Sequence, residues 1–452
     1  MFDKVLVANR GEMAVRIIRG CRDLGVRSVA IYSEADAGSW HVSMADESVC
    51  VGPSAAAGSY LNVPHIIGAA LNTGCDAIHP GAGFLAENAY FAEACGQYHI
   101  VFVGPTPDNI RAMGNKTKAR KVAQSVGIKT IPGSDGSVKD VNEAKAVARE
   151  IGFPVMVKAA TGGGGRGIRC VADTDDLVAL FPMAQAEARS SFGSSELYIE
   201  KLIESSRHVE VQVLGDGKNV IHLGHRECSI QRRYQKLVEE APAPSLVGKP
   251  SDRITRAAVR LANSIGYLGA GTVEFLLDPS GDFYFIEANT RIQVEHPATE
   301  AVTGVDIVKA QISIAAGEPL EPRQRDVQIE GHAIEFRLLA EDPERGFRPD
   351  SGVIDDLRLP GGLGVRVDSH IFAGYRVPPF YDSLLAKIIV YGATRDEALA
   401  RARRALDETS IDGVSTNLRF HRAIVRDEKF ISADYDLDFL GTGLVPVAGA
   451  LL

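Results

Sequence analysis

Short apolar runs alternate with helical stretches through the first third of the chain, and that alternation limits the possible folds more than any other feature. KVLVA reads as a buried strand, and the turn NRGE leads into a helix. Met13, Ala14, Ile17, Ile18, Cys21 and Leu24 form its apolar stripe, with Arg16 and Arg19 on the opposite face. SVAIYS, CDAIHPG and IVFVG supply further strands. Strands separated by helices pair in parallel with helices on both faces, so a doubly wound α/β sheet is expected. The NRGE turn is not G-x-G-x-x-G, which removes a dinucleotide site and, with it, a nicotinamide-dependent dehydrogenase.

The 452 residues suffice for roughly two to four domains. A middle region starts near Lys116. FPVMVKAATGGGGRGIRCV reads as strand, glycine loop, strand, and YIEKLIE follows. HVEVQVLGDGKNVIHLG is an alternating hairpin turning at Gly215 to Asn219. From about Gly331 short strands mix with the helix TRDEALARARRALDE, which opens on a capping box, Thr394 and Glu397. The six cysteines include no C-x-x-C pair, so neither a zinc site nor a disulfide framework is suggested, and a reducing cytoplasm fits. No apolar run approaches the ~18 residues of a membrane span. MFDKVLVANRGE turns polar too soon for a secretory signal. The net charge of −9 argues against nucleic acid as the main partner. RECSIQRRYQK, Arg226 to Lys236, reads either as a phosphate-binding patch or as a solvated surface strand, and alone the surface strand is favoured.

The segment GTVEFLLDPSGDFYFIEANT permits a register argument. Ser280-Gly281 is a two-residue turn candidate, and placing Pro279 opposite Asp282 sets Glu274 directly opposite Glu287. In that register Leu276 and Phe285 share the acidic face, while Val273, Phe275, Leu277, Tyr284 and Ile286 form an apolar one. Opposed carboxylates repel, and a magnesium ion carrying substrate phosphates removes that cost. The alternative is an exposed hairpin whose charges are fanned apart by twist. Downstream, Glu287, Asn289, Arg291, Gln293 and Glu295 fall at every second position, so an extended chain would line them along one edge. The run Gly162 to Gly165, after a strand carrying Lys158, reads as a flexible loop or as a lid over phosphates, although its spacing is not that of a P-loop.

VLVANRGEMAVRIIR, AIHPGAGFLAENA, KAATGGGGRGIR, HVEVQV, ECSIQRRYQKLVEEAPAP, GAGTVEFL and FIEANTRIQVEHPATE closely resemble the biotin carboxylase family. GHAIEFRLLAEDP and GYRVPPFYDSLLAKIIVYG resemble its carboxy-terminal domain. The resemblance runs from about residue 2 to residue 440. It implies a doubly wound domain over 1–114 and an ATP-grasp domain over 115–330, with a mobile lid at about 130–203. A carboxy-terminal mixed-sheet domain would occupy 331–445.

The resemblance also implies an activity. ATP phosphorylates bicarbonate, and the resulting carboxyphosphate delivers carbon dioxide to N1′ of biotin. Glu274, Glu287 and Asn289 would hold magnesium or manganese. Lys116 and Lys158 would meet the ATP phosphates, with Gly164 and Gly165 in the lid. Glu200, Lys201 and Ile203 would read the adenine edge, largely by backbone; alone, that run is a short amphipathic strand. His208 and Gln231 would touch the nucleotide, although a strand histidine is otherwise usually structural. Lys236, Arg291, Gln293 and the Val294 backbone would bind bicarbonate, Glu295 would be its base, and Arg337 would face the ureido oxygen of biotin.

Three positions depart from the family pattern. Ala82 stands where tyrosine is usual, Tyr234 near the nucleotide replaces histidine, and Ala288 replaces methionine. No biotinylation hairpin such as Met-Lys-Met occurs, so a biotin carboxyl carrier protein and a carboxyltransferase are expected as separate chains. That arrangement resembles bacterial-type acetyl-CoA carboxylase, with a propionyl-CoA or pyruvate carboxylase as alternatives. A homodimer is implied, with Arg16, Arg19 and Arg366 at the contact; all three are equally compatible with solvated surface positions. The rival readings are another ATP-grasp ligase, which would not need Arg337, and a non-catalytic nucleotide sensor, which would not need Glu295.

Overall fold

The computed structural model describes residues 1–160 and 167–441, the side chain of Phe192 excepted. The first sheet is five-stranded and all parallel, in the order β3-β2-β1-β4-β5. Its strands are β1 (Lys4–Val7), β2 (Arg27–Ser33), β3 (Glu47–Gly52), β4 (Ala77–His79) and β5 (Val101–Phe102). Of these, β3 (ESVCVG) escaped the sequence reading, because it has no long apolar run: it opens on Glu47 and Ser48, and only Val51 is buried. Alternation along the strands sorts the two faces. Val5, Val7, Ala30 and Ala77 pack under α1 (Gly11–Asp23), while Leu6, Val29, Ile31 and Ile78 pack under α2 (Val63–Thr73) and α3 (Ala89–Gln97). Helices on both faces make the sheet doubly wound, as expected.

A three-stranded antiparallel sheet follows, from β6 (Val155–Ala159), β7 (Ile168–Val171) and β8 (Leu197–Lys201). Gly164 and Gly165, between β6 and β7, lie outside the described residues.

The largest sheet has eight antiparallel strands in the order β13-β12-β9-β10-β11-β14-β16-β15. They are β9 (Arg207–Asp216), β10 (Val220–Arg232), β11 (Gln235–Ala241), β12 (Leu268–Leu277), β13 (Phe283–Asn289), β14 (His332–Leu339), β15 (Val365–Ser369) and β16 (Leu384–Gly392). Direct pairing of β11 with β14 makes one sheet of strands from both sides of residue 331. Val238, Ile334, Phe336, Ile388 and Val390 pack against the helix Arg395–Glu408. Thr394 caps that helix by accepting from the Glu397 amide, one half of the expected capping box. The Glu397 carboxylate reaches back to the Ala393 amide at 2.7 Å instead of to that of Thr394. The opposite face carries Glu239, Glu335, Arg337 and Lys387, all buried or nearly so.

Candidate active site

The hairpin β12–β13 places Glu274 opposite Glu287, and it gets there by a route other than the one the sequence suggests. The turn is longer by one residue. Asp278 pairs with Asp282 around Pro279, Ser280 and Gly281, the last at φ +85°, a conformation that suits glycine. That slip sets Phe275 opposite Phe285. A bulge at Ile286 then restores the register at Glu274–Glu287. Between turn and bulge the faces of β13 are therefore reversed from expectation, while Val273, Phe275 and Leu277 of β12 lie in the core as expected. Phe275, Phe283 and Phe285 cluster in the core, with ring centroids 5.4 and 6.4 Å apart, while Tyr284 and Ile286 are half-buried.

Downstream of Asn289 the chain leaves the sheet, so the alternating polar row is not one extended edge. Thr290 and Ile292 are fully buried, and Glu295 adopts a turn conformation at the start of a helix, His296–Thr303. The polar side chains nevertheless converge. Asn289 Nδ2 donates to Glu274 Oε1 at 2.8 Å and Gln293 Nε2 to the same oxygen at 3.0 Å. Arg291 donates to Asn289 Oδ1 (3.1 Å) and Gln293 Oε1 (2.7 Å). The Val294 carbonyl accepts from Lys387 Nζ at 2.9 Å.

Lys236 stands at the centre, with its ammonium 2.6 Å from Glu210, 2.7 Å from Glu295 and 3.0 Å from Glu274. Arg337 spans Glu239 Oε1 and Glu295 Oε2, at 2.6 and 2.9 Å. Burial alone would raise the Glu295 carboxyl, but Lys236, Arg337 and Arg226 hold it well below the usual carboxylate range. Burial would likewise lower Lys236, yet Cys228, Glu210, Glu274 and Glu295 hold it well above its ordinary value. A base kept ionised, and an ammonium kept charged beside it, result from the same cluster.

Lys116 reaches Glu287 at 2.5 Å, and Lys158 reaches Glu200 at 2.7 Å. The Glu200 side chain also pairs with Arg120, while Lys201 Nζ donates to the carbonyls of Gly152 and Phe153. Ile203 follows β8 in the connection to β9. Gln231 Nε2 donates to His208 Nδ1 at 2.7 Å, which puts the imidazole proton on Nε2, 3.0 Å from Glu274. The surface-strand reading of RECSIQRRYQK fails. Arg226, Cys228, Ser229 and Ile230 are buried because β10 is an interior strand, although Tyr234 is 49% exposed. Arg233 and Tyr234 form the β10–β11 turn, both at positive φ.

Several contributors were not singled out by the sequence. Glu87 accepts from Arg291 Nε (3.0 Å) and from the Thr290 amide (2.9 Å). Glu210 is gripped by both Arg226 and Lys236 at 2.6 Å. The available signal for Glu210 was the alternation of HVEVQV, which places it on one face with His208 and Gln212. Arg16 is also no surface residue: it is buried, paired with Glu300 (2.8 Å) and Asp306 (2.6 Å). Arg366 shares Glu300, and Arg19 stacks on Trp40.

The donor set suits a hard divalent cation: Glu274, Glu287 and Asn289 offer oxygens, and both carboxylates already attract cationic side chains. His208, Glu210 and Glu274 also lie close enough together to form a ligand trio. Glu210 is already committed to Arg226 and Lys236, and Glu274 also meets Lys236, so these two carboxylates serve to hold that ammonium.

Known proteins share this architecture. Residues 1–110 match the biotin carboxylase N-terminal domain, residues 115–323 the carbamoyl-phosphate synthase L chain ATP binding domain, and residues 335–442 the biotin carboxylase C-terminal domain. Biotin carboxylase of Nostoc sp. is 52% identical over 440 residues, covering 97% of this chain and 98% of that protein. The chain belongs to the biotin carboxylase family. Biotin carboxylase 1 of Bacillus subtilis is also 52% identical, over 98% of this chain and 99% of its own length. Among solved structures, the Campylobacter jejuni biotin carboxylase superposes with a TM-score of 0.96 at 45% identity, covering 98% and 99% of the two chains. The biotin carboxylase domain dimer of Hydrogenobacter thermophilus 2-oxoglutarate carboxylase, in complex with MgADP, ADP and bicarbonate, gives 0.95 at 49%, covering 98% and 97%. As a member of this family the chain is an ATP-dependent ligase that carboxylates biotin.

The family departures have plain structural settings. Ala82 offers its carbonyl to Asn9 Nδ2 (2.8 Å) and packs on the core below β1, while Ala288 packs against the core of the β12–β13 hairpin.

Proposed function

We propose that this chain carries out the first half-reaction of an acyl-CoA carboxylase, most simply acetyl-CoA carboxylase, by carboxylating N1′ of biotin on a separate biotin carboxyl carrier protein. ATP and bicarbonate are the other substrates, carboxyphosphate is the intermediate, and a carboxyltransferase on another chain completes the reaction. The observation that carries this reading is Glu295, buried and ionised between Lys236 and Arg337.

Each residue has a part in that reading. Lys116 and Lys158 meet the ATP phosphates; Gly164 and Gly165, assigned to the same phosphates by the family resemblance, lie outside the described residues. Glu200, Lys201 and Ile203 line the adenine edge, and His208, Gln231 and Tyr234 complete the nucleotide side. Glu274, Glu287 and Asn289 would hold magnesium or manganese, which when bound neutralises phosphate charge. Lys236, Arg291, Gln293 and the Val294 backbone orient bicarbonate for attack on the γ-phosphate. Glu295 takes the bicarbonate proton, its carboxylate already desolvated and aligned by two cations. Arg337 stabilises the anion that develops on the ureido oxygen of biotin. The chain acts as a homodimer, consistent with the dimeric neighbour named above. A cytoplasmic setting is part of the same proposal; among the described residues no helix is long and apolar enough to cross a membrane.

The test is ATP hydrolysis with magnesium, with and without bicarbonate and with free biotin added. Turnover that needs bicarbonate and rises with biotin supports the reading. Turnover indifferent to both points to another ATP-grasp ligase and removes the roles of Arg337 and the bicarbonate pocket. A second assignment of the acceptor rests on likeness to carboxylases of other acids. Rhizobium etli pyruvate carboxylase, of which the chain covers 40%, superposes with a TM-score of 0.93 at 43% identity. Co-purification of the carrier and carboxyltransferase, followed by assay with acetyl-CoA, propionyl-CoA, pyruvate and 2-oxoglutarate, separates these acceptors.

A further inference from the structure

Glu239 on β11 and Glu335 on β14 stand directly opposite each other in the large sheet, and both are completely buried. Like charges facing across adjacent strands repel, and a buried carboxylate without partners is costly. Glu239 has a cation on one oxygen, Arg337 at 2.6 Å. Neither oxygen of Glu335, nor Oε2 of Glu239, meets a hydrogen-bond donor among the described residues.

The charged groups around the pair do not supply what is missing. Arg337, two residues along β14, spends its contacts on Glu239 and Glu295. Lys387 on β16 is held by Glu12 of α1 at 3.0 Å and by the Val294 carbonyl, with Asp368 of β15 4.0 Å away. Lys236 is occupied by its three carboxylates. Of the histidines, His421 lies on the other face of the sheet against Phe336, held at about 4 by burial. His296, next to Glu295 in sequence, is held well below its ordinary value by burial, so neither carries a charge to the pair. Burial raises both carboxyls. Glu335 is lowered by Lys387 and Arg337 but raised further by Glu239 and Glu295, while Glu239 is drawn back by Arg337 and Lys236 against Glu295, and both stay raised.

We propose that Glu335 is a neutral acid that donates a hydrogen bond to the Glu239 carboxylate, and that the pair, kept at one negative charge by the shared proton, positions Arg337 between Glu239 and Glu295. One proton between the two carboxyls satisfies an oxygen on each. The role assigned to Arg337 rests on the function proposed above. When Glu295 takes up the bicarbonate proton, its hold on the guanidinium weakens and Glu239 becomes the remaining anchor. Loss of the shared proton has the opposite effect. Two full charges on the Glu239 side draw the guanidinium away from biotin, so efficiency toward biotin falls as pH rises through that ionisation.

The experiment uses the full chain and Glu335→Gln, with Glu335→Met as a second variant of similar volume. Infrared difference spectra of wild type minus each variant, ligand-free at neutral pH, are expected to show the carbonyl stretch of a protonated carboxylic acid that only the wild type carries. kcat/KM for free biotin, at saturating ATP and bicarbonate, is expected to decline at alkaline pH in the wild type. In the variants that decline is displaced upward by at least about one pH unit. Glu239→Gln is expected to lower kcat/KM for biotin about tenfold or more while leaving the KM for ATP within about twofold. A wild type without the acid band, or an unmoved alkaline limb in both variants, overturns the proton assignment while leaving the proposed function standing. A wild type without bicarbonate-dependent turnover overturns the proposed function and the positioning role together.

Discussion

Glu239 and Glu240 are consecutive on β11, both buried, and they face opposite sides of one sheet. Glu240 lies on the apolar side, among residues that pack against the helix Arg395–Glu408. There it receives His332 Nε2 at 2.6 Å, two nitrogens of Arg395 at 2.8 and 2.9 Å, and the Tyr435 hydroxyl at 2.6 Å. Burial would raise its carboxyl, but His332 and Arg395 bring it down to about 2. Glu239 meets Arg337 alone, and burial keeps it raised. Equal dryness thus gives opposite charge behaviour, because the number of donors differs. A carboxylate that serves structure is fully matched. Glu239, beside Arg337, keeps one oxygen unfilled, and its protonation can change.

The largest effect belongs to the polar face. Glu295→Gln removes the base while keeping a similar shape, and bicarbonate-dependent ATP turnover should drop by about 10²–10⁴-fold. Steady-state kinetics of the purified variant check this, alongside a urea melt showing that it remains folded. Retention of more than about a tenth of the wild-type rate would take the base role away from Glu295.

On the apolar face the expected loss is stability. Phe336 is fully buried in the cluster under that helix, flanked in sequence by Glu335 and Arg337, which point the other way. Phe336→Ala should cost about 3–5 kcal/mol, read from the urea midpoint at constant slope. A loss below about 1 kcal/mol would mean that this face is not closely packed, and the contrast between the two faces would then collapse.

The same contrast explains what the sequence revealed and what it hid. The parallel sheet was legible because its strands are continuous apolar runs that alternate with amphipathic helices, a signal contained within each segment. Pairing of Glu274 with Glu287 was legible too, but through two deviations that cancel: a turn one residue longer than expected and a bulge at Ile286. Alternation alone cannot show either, and the faces of Phe285, Tyr284 and Ile286 were misassigned as a result. RECSIQRRYQK was read as solvated because alternating polar residues usually mark a wet face. Here that face is covered by the helix His296–Thr303: Arg226 donates to Thr299 on it and is gripped by Glu210 on the next strand, while Arg337 comes from β14, far along the chain. Long-range partners decide whether a polar row is surface or site. The resemblance to a family supplied the residue roles that local pattern left open.

A pH titration sharpens the comparison at Glu240. Its folded value, about 2, lies below the 4.5 of an unperturbed glutamate. The stabilisation is therefore fully present above about pH 4.5 and is lost as pH falls through the folded value. The shift corresponds to about 3 kcal/mol as an order of magnitude. Thermal melts between neutral pH and pH 2 should fall less steeply in Glu240→Gln than in the wild type. Equal slopes would show that His332 and Arg395 are not what keep this carboxylate ionised.

The smallest effect tests whether that clamp depends on its helix. Thr394 caps the helix through a 3.2 Å bond from the Glu397 amide, and Arg395, the next residue, holds Glu240. Removing the cap by Thr394→Ala should cost about 1 kcal/mol at neutral pH, and Thr394→Ser should restore most of it. If the first turn loosens, Arg395 loosens with it, so the acid-induced loss in Thr394→Ala should also begin at a higher pH than in the wild type. A cost at neutral pH with no change in the acid limb would show instead that β16 and the residues around Tyr435 fix Arg395 without help from the cap.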